Sequence, residues 1–178
     1  MKKPGVRTQR WLKAFHVLFA GIWLGATLTA VTIIFGARDA MDAATLQGAY
    51  AVAVNIGKLV IPFSSVLTLL TGILVCWLTS WGFFKYWSVV LQIIAWSAVF
   101  TIAITSLDPA LETSRALAGA NGLSARQNVE FIVASETALR LGITNVLIIS
   151  FATFVAVIKP WGRTKWGRSL DPVLRPLR

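Results

Sequence analysis

Residues 11–35 read WLKAFHVLFAGIWLGATLTAVTIIF, an apolar run broken by one formal charge, Lys13. The hydrocarbon core of a bilayer is ~30 Å thick and a helix rises ~1.5 Å per residue, so ~20 such residues cross it. Lys2, Lys3, Arg7 and Arg10 precede the run as they would in a secretory leader. The run is much longer than the ~7–15 apolar residues of a leader, so it is expected to remain as an anchor.

Three more stretches have the same character: residues 59–78, 87–107 and 141–158. They are long unbroken runs of Leu, Ile, Val, Phe and Ala, unlike the short alternating segments of a β-barrel. The sequence therefore predicts an all-α polytopic membrane protein, a four-transmembrane-helix bundle forming one membrane domain over residues 1–178. Basic tails occupy 1–10 and 159–178. Composition agrees: 56% of the 178 residues are hydrophobic, 13% are charged, and the mean hydropathy is +0.71. Soluble domains carry about a quarter charged residues, and half that number leaves too little polar surface to coat a globule.

The net charge of +10 raises the question of nucleic acid, but the positions of the charges point to a membrane instead. Lys2, Lys3, Arg7, Arg10, Lys13, Lys85, Lys159, Arg163, Lys165, Arg168, Arg175 and Arg178 fall on one side, with Asp171 as its acid. The other side has Arg38, Lys58, Arg115, Arg126 and Arg140 against Asp39, Asp42, Asp108, Glu112, Glu130 and Glu136. Basic residues stay in the cytoplasm, so both termini are predicted inside, in a bacterial inner membrane. The tails are expected to rest on anionic lipid headgroups, with no nucleic-acid partner. Trp11, Trp81, Tyr86, Trp87, Trp161 and Trp166 stand where an interfacial aromatic belt belongs.

The short link over residues 79–86 predicts that spans two and three are antiparallel neighbours. Residues 45–57 have few helix breakers and read as a helical prelude to span two, with Pro62 at a kink or a first turn. Asp108-Pro109 ends span three, Asn121-Gly122 marks a turn, and Ser124 with Gln127 suggests a capping box. Helix then continues into span four, with Glu136 and Arg140 spaced for an i,i+4 pair.

Polar residues within spans are costly and so are the functional candidates. His16, Trp23 and Thr27 share one face of the first helix, spaced by seven and four. A neutral imidazole there can ligate haem iron or another metal, relay protons, or bond a neighbouring hydroxyl or carbonyl. Gly21 and Gly25 have the small-xxx-small spacing that admits a close helix, in this chain or in a homo-oligomer. Ser64, Thr68, Gly72 and Cys76 make a small-residue stripe, and Ser88, Gln92 and Trp96 share a face of the third span. Arg140, Thr144 and Asn145 stack at the outer end of the fourth span, where Arg140 either snorkels to the interface or binds a carboxylate. One cysteine and one histidine exclude an internal disulfide and a Cys/His cluster within the chain. No soluble-enzyme motif occurs, no span holds paired carboxylates, and no inverted repeat suggests a transporter.

The run from Trp11 to Gly25, with His16, Gly21, Trp23 and Gly25, resembles the opening of the bacterial domain-of-unknown-function family 2269, predicted four-span membrane proteins. The Pro62 to Trp87 region, with Thr71-Gly72 and Trp81-Gly82-Phe83-Phe84-Lys85, is similar to it too, as is Lys159-Pro160-Trp161. That resemblance implies the same topology. The first helix is also similar to those of copper-resistance D proteins and of the membrane, haem-linked protoporphyrinogen oxidases. The latter resemblance implies a haem-ligating or catalytic role for His16. This chain has no second histidine, and Gln92 stands where that family has a lysine. The leading expectation is a membrane-embedded ligand or cofactor, haem or a related porphyrin, near His16, with Trp23, Thr27, Gln92 and Arg140 as further binding residues and His16 as the metal ligand. A noncatalytic component that contacts lipid or another membrane protein, and a membrane oxidoreductase, are the alternatives.

Overall fold

Pro62 and Pro109 lack the N–H that an α-helix needs at every interior position, so the backbone must rearrange around them. It does so in the same way twice. The computed structural model describes residues 4–79 and 82–169; Lys2, Lys3, Trp81, Asp171, Arg175, Arg178 and the side chain of Arg168 lie outside what is described. Helix α1 (Val6–Gly36) leads through a short 3-10 turn (Ala37–Asp39) to α2 (Ala43–Asn55). Asp42 caps α2, its carboxylate accepting from the Thr45 N–H at 2.8 Å, and these bonds hold that carboxyl below the usual carboxylate range. A π-turn (Ile56–Val60) joins α2 to α3 (Ile61–Leu78), and a second (Ala103–Leu107) joins α4 (Trp87–Ile102) to α5 (Asp108–Asn121). At each junction the residue just before the proline donates five residues back, Ile61 to Ile56 and Asp108 to Ala103. The extra residue in each turn keeps the helix running where the proline would otherwise break it.

Helix α6 (Val129–Ile158) follows a 3-10 turn (Gly122–Gln127), and a short α7 (Lys165–Ser169) closes the described chain. Four helical stretches result, Val6–Asp39, Ala43–Leu78, Trp87–Gln127 and Val129–Ile158, each long and apolar enough to cross a membrane. The described residues are otherwise turns, with one isolated bridge between Tyr86 and Arg163. Outward-facing Phe63, Leu70, Trp77, Ile94, Leu147, Phe151 and Phe154 are all exposed, a surface suited to lipid and too apolar for water.

The second and third stretches are 36 and 41 residues long, beyond the ~20 that cross a bilayer, so their ends project. There α2, α5, the end of α1 and the start of α6 bury a core of their own, including Leu46, Tyr50, Ala53, Leu111, Ala118 and Phe131. Ion pairs ring this cap: Lys58 and Arg115 on Glu112, Arg38 and Arg140 on Glu136. Away from the cap the core is smaller, with Trp23, Val99 and Ile149 at its centre.

Three sequence expectations change. The helix of span three does not end at Asp108-Pro109, because the π-turn carries it on to Asn121. The cap of the last helix is Asn128, whose side chain accepts from the Glu130 N–H at 2.8 Å; Ser124 instead donates to the Asn121 carbonyl within the 3-10 turn. Spans two and three are sequential but not close neighbours: α3 packs on α1, α4 packs on α6, and α1 packs on α6. The glycines explain part of this arrangement. A Cβ on Gly72 would sit 3.1 Å from His16 Cε1, and one on Gly142 2.8 Å from Val31 Cγ2, so these residues admit α1 closely. Gly21 and Gly25 face open space, with nothing within 4 Å of a Cβ at either position.

Candidate functional site

The inward face of α1 carries Trp23, Thr27, Ala30 and Ile34, spaced by four, three and four residues as a helix stripe requires. Facing it, α6 turns in Gly142, Asn145 and Ile149. Helices α3 and α4 do not pack closely on each other, and a cavity of about 140 Å³ remains between the four helices. Trp23 and Thr27 line it with Ser65 of α3, Trp96 of α4 and Asn145 of α6. Both π-turns form its end nearest the cap, contributing Gly57 and Leu107 with Asp108 beside them. Trp96 spans the gap by donating its Nε1–H to the Ser65 carbonyl at 3.3 Å.

Two buried side-chain polar atoms among the described residues have no hydrogen-bond partner, Trp23 Nε1 and Asn145 Oδ1. Both residues line this cavity, and both are almost wholly buried, at 6% and 2% exposed. The indole N–H is a donor only, and the amide oxygen an acceptor. Leaving such a group unsatisfied costs about 1–3 kcal/mol, and here one is on α1 and the other on α6. Thr27 meets neither: its hydroxyl donates to the Trp23 carbonyl at 2.9 Å.

His16 lies seven residues before Trp23, about 10 Å away along the axis at a helix rise of ~1.5 Å. It is not on the cavity wall. Its Nδ1 is 3.0 Å from the Thr68 carbonyl and 3.2 Å from the Thr71 hydroxyl. A carbonyl only accepts, so Nδ1 carries the hydrogen and donates it to α3. Gln92 reaches the same imidazole from α4, and its own Nε2 donates to the Ser88 carbonyl at 3.1 Å. His16 is thus a polar tie between α1 and α3, with Gln92 of α4 beside it.

The five residues singled out from sequence therefore fall in three places. Trp23 and Thr27 line the cavity, His16 makes the tie with Gln92 beside it, and Arg140 is remote from both. The Arg140 side chain is 80% exposed and pairs with Glu136 at 3.5 Å. Asn145 is the residue sequence reasoning passed over as a site residue. Its signal was present, an amide in the middle of an apolar run, but the neighbouring Arg140 made that end of the helix read as interface. Five residues apart on a helix are about 140° apart, so the two face different ways.

His16 stands apart from the cavity: its Nδ1 donates to α3 and its ring lies on Gly72, which leaves Nε2 as the nitrogen able to meet a metal. The volume of the cavity is that of a benzene-sized guest, since ~150 Å³ cavities accept benzene. No three His, Cys, Asp or Glu side chains among the described residues are grouped to hold a metal ion.

Fold and cavity together define a class, an all-helical protein with four helices able to span a membrane and an internal cavity at their centre. No family model, curated protein or solved structure matches the chain.

Proposed function

We propose that this is a multi-pass protein of a bacterial inner membrane that holds a small membrane-borne ligand in the cavity between α1, α3, α4 and α6. The observation that carries the reading is the pair of unpartnered polar atoms, Trp23 Nε1 and Asn145 Oδ1, on residues that line the same cavity. The site takes over two of the residues picked from sequence, Trp23 and Thr27, and leaves His16 and Gln92 as structural polar contacts. Basic residues put the termini and the Lys85 link in the cytoplasm, near anionic headgroups, and the ion-paired cap outside. The likeness to family 2269 contributes topology to this reading and no activity.

The indole N–H of Trp23 reports occupancy directly. In protein labelled with ¹⁵N-tryptophan, its resonance is assigned by loss in Trp23→Phe. Adding a bacterial lipid extract to delipidated protein is expected to move that resonance toward a hydrogen-bonded position. Ala103→Phe, which puts a ring into the space, is expected to abolish the movement. A Trp23 signal that stays where it is, in wild type and variant alike, rejects the site.

A further inference from the structure

Resting on that reading, we infer that the ligand is a neutral lipophile bearing a hydroxyl group, about the size of a phenol, and that it enters from the lipid between α3 and α4. Two atoms on lining residues are buried without a partner, one a donor, Trp23 Nε1, and one an acceptor, Asn145 Oδ1. On an organic ligand a hydroxyl answers both kinds, with lone pairs for an indole N–H and an O–H for an amide oxygen. A carbonyl answers only the donor, and an ammonium only the acceptor. Anions are disfavoured further, because the one charged residue on the lining is an acid, Asp108, and no cation lies there to pair with a carboxylate or phosphate. The rest of the lining is Trp, Phe, Val, Ile, Leu, Pro, Ala and Gly with the hydroxyls of Thr27 and Ser65, which suits an apolar body.

Size follows from the volume of about 140 Å³, close to that of cavities that take a benzene ring. The route follows from exposure. Val66 on α3, Phe100 on α4 and Ile104 in the π-turn after it line the cavity, yet they are 45%, 44% and 53% exposed on the outer surface of the bundle. The polar pair is buried behind them. The space therefore opens sideways between two helices that do not pack closely, and its ligand arrives through the bilayer.

Fluorine NMR of the full chain in nanodiscs tests this with three probes of one shape, 4-fluorophenol, fluorobenzene and 4-fluorobenzoate. Wild type is expected to bind 4-fluorophenol about tenfold more tightly than fluorobenzene, with 4-fluorobenzoate weakest. Trp23→Phe and Asn145→Leu, which keep most of the volume, are expected to reduce that preference to near unity while fluorobenzene still binds. Equal binding of fluorophenol and fluorobenzene to wild type overturns the hydroxyl class and leaves a ligand cavity standing. A preference for 4-fluorobenzoate also overturns it. Binding of no probe overturns both this inference and the ligand site, so the two failures are told apart by wild type alone, whatever the variants do.

Discussion

His16 joins α1 to α3 through the Thr68 carbonyl and receives Gln92 from α4. Interhelical polar contacts in membranes are worth on the order of 1 kcal/mol, and truncating a packed ring adds a cavity cost. His16→Ala is therefore expected to lower stability by about 1–3 kcal/mol, measured as reduced unfolding temperature in detergent. The purified wild type is expected to show no haem Soret band. A Soret band that vanishes in His16→Ala would return this histidine to the role its resemblance implies. The common face of His16, Trp23 and Thr27 was legible from spacing alone, since helix period fixes it. Which neighbour each residue met was not legible, because that depends on which helices pack on which. Arg140 shows the same limit: its i,i+4 partner Glu136 could be read from spacing, whereas its 80% exposure depends on how α6 faces the bundle.

At the scale of elements, the four apolar helices could be read directly, because ~20 apolar residues have few other solutions. The cap could be read in part: residues 45–57 read as a helical prelude, and α2 spans Ala43–Asn55. Helix α5 could not, because Asp108-Pro109 has the form of a helix end. The two π-turns convert those prolines from breaks into offsets, and they border the cavity. In Pro62→Ala and Pro109→Ala the restored N–H can bond four residues back, to Lys58 and Thr105, and regular α-helix becomes available. Loss of the extra residue would turn each outer segment by roughly 100° relative to its span. The expected outcome for the double variant is unchanged or higher unfolding temperature together with fluorobenzene binding weakened at least about fivefold. Unaltered binding with unaltered stability would mean that packing of the cap, and not the prolines, sets the turns.

For the whole molecule, the decisive asymmetry is one of charge. The side with the termini and Lys85 carries twelve basic residues and one acid, the opposite side five and six. The structure gives both sides a physical use. On the cap, the acids Glu112 and Glu136 each hold two bases, so its charge is largely neutralised in place. On the other side the chain after α6 turns back onto the α3–α4 link: the Thr164 N–H donates to the Lys85 carbonyl at 3.0 Å and its hydroxyl to the Phe84 carbonyl at 2.6 Å. This fold-back gathers Lys85 and Lys165 with exposed Phe84, Trp87 and Trp166 at one end of the bundle, a combination suited to an anionic headgroup layer. A reporter fused after Arg178 is therefore expected to be active only as a cytoplasmic fusion. One inserted at the Asn121-Gly122 turn, where Gly122 takes a positive φ of 54° and Asn121 is exposed, is expected to be active only outside. Alkaline phosphatase and green fluorescent protein give opposite readouts at each position, so neither result depends on expression level. Both reporters on one side would remove a span from the bundle. An exchange of sides would keep the bundle and reverse it, placing the ion-paired cap in the cytoplasm against the charge rule.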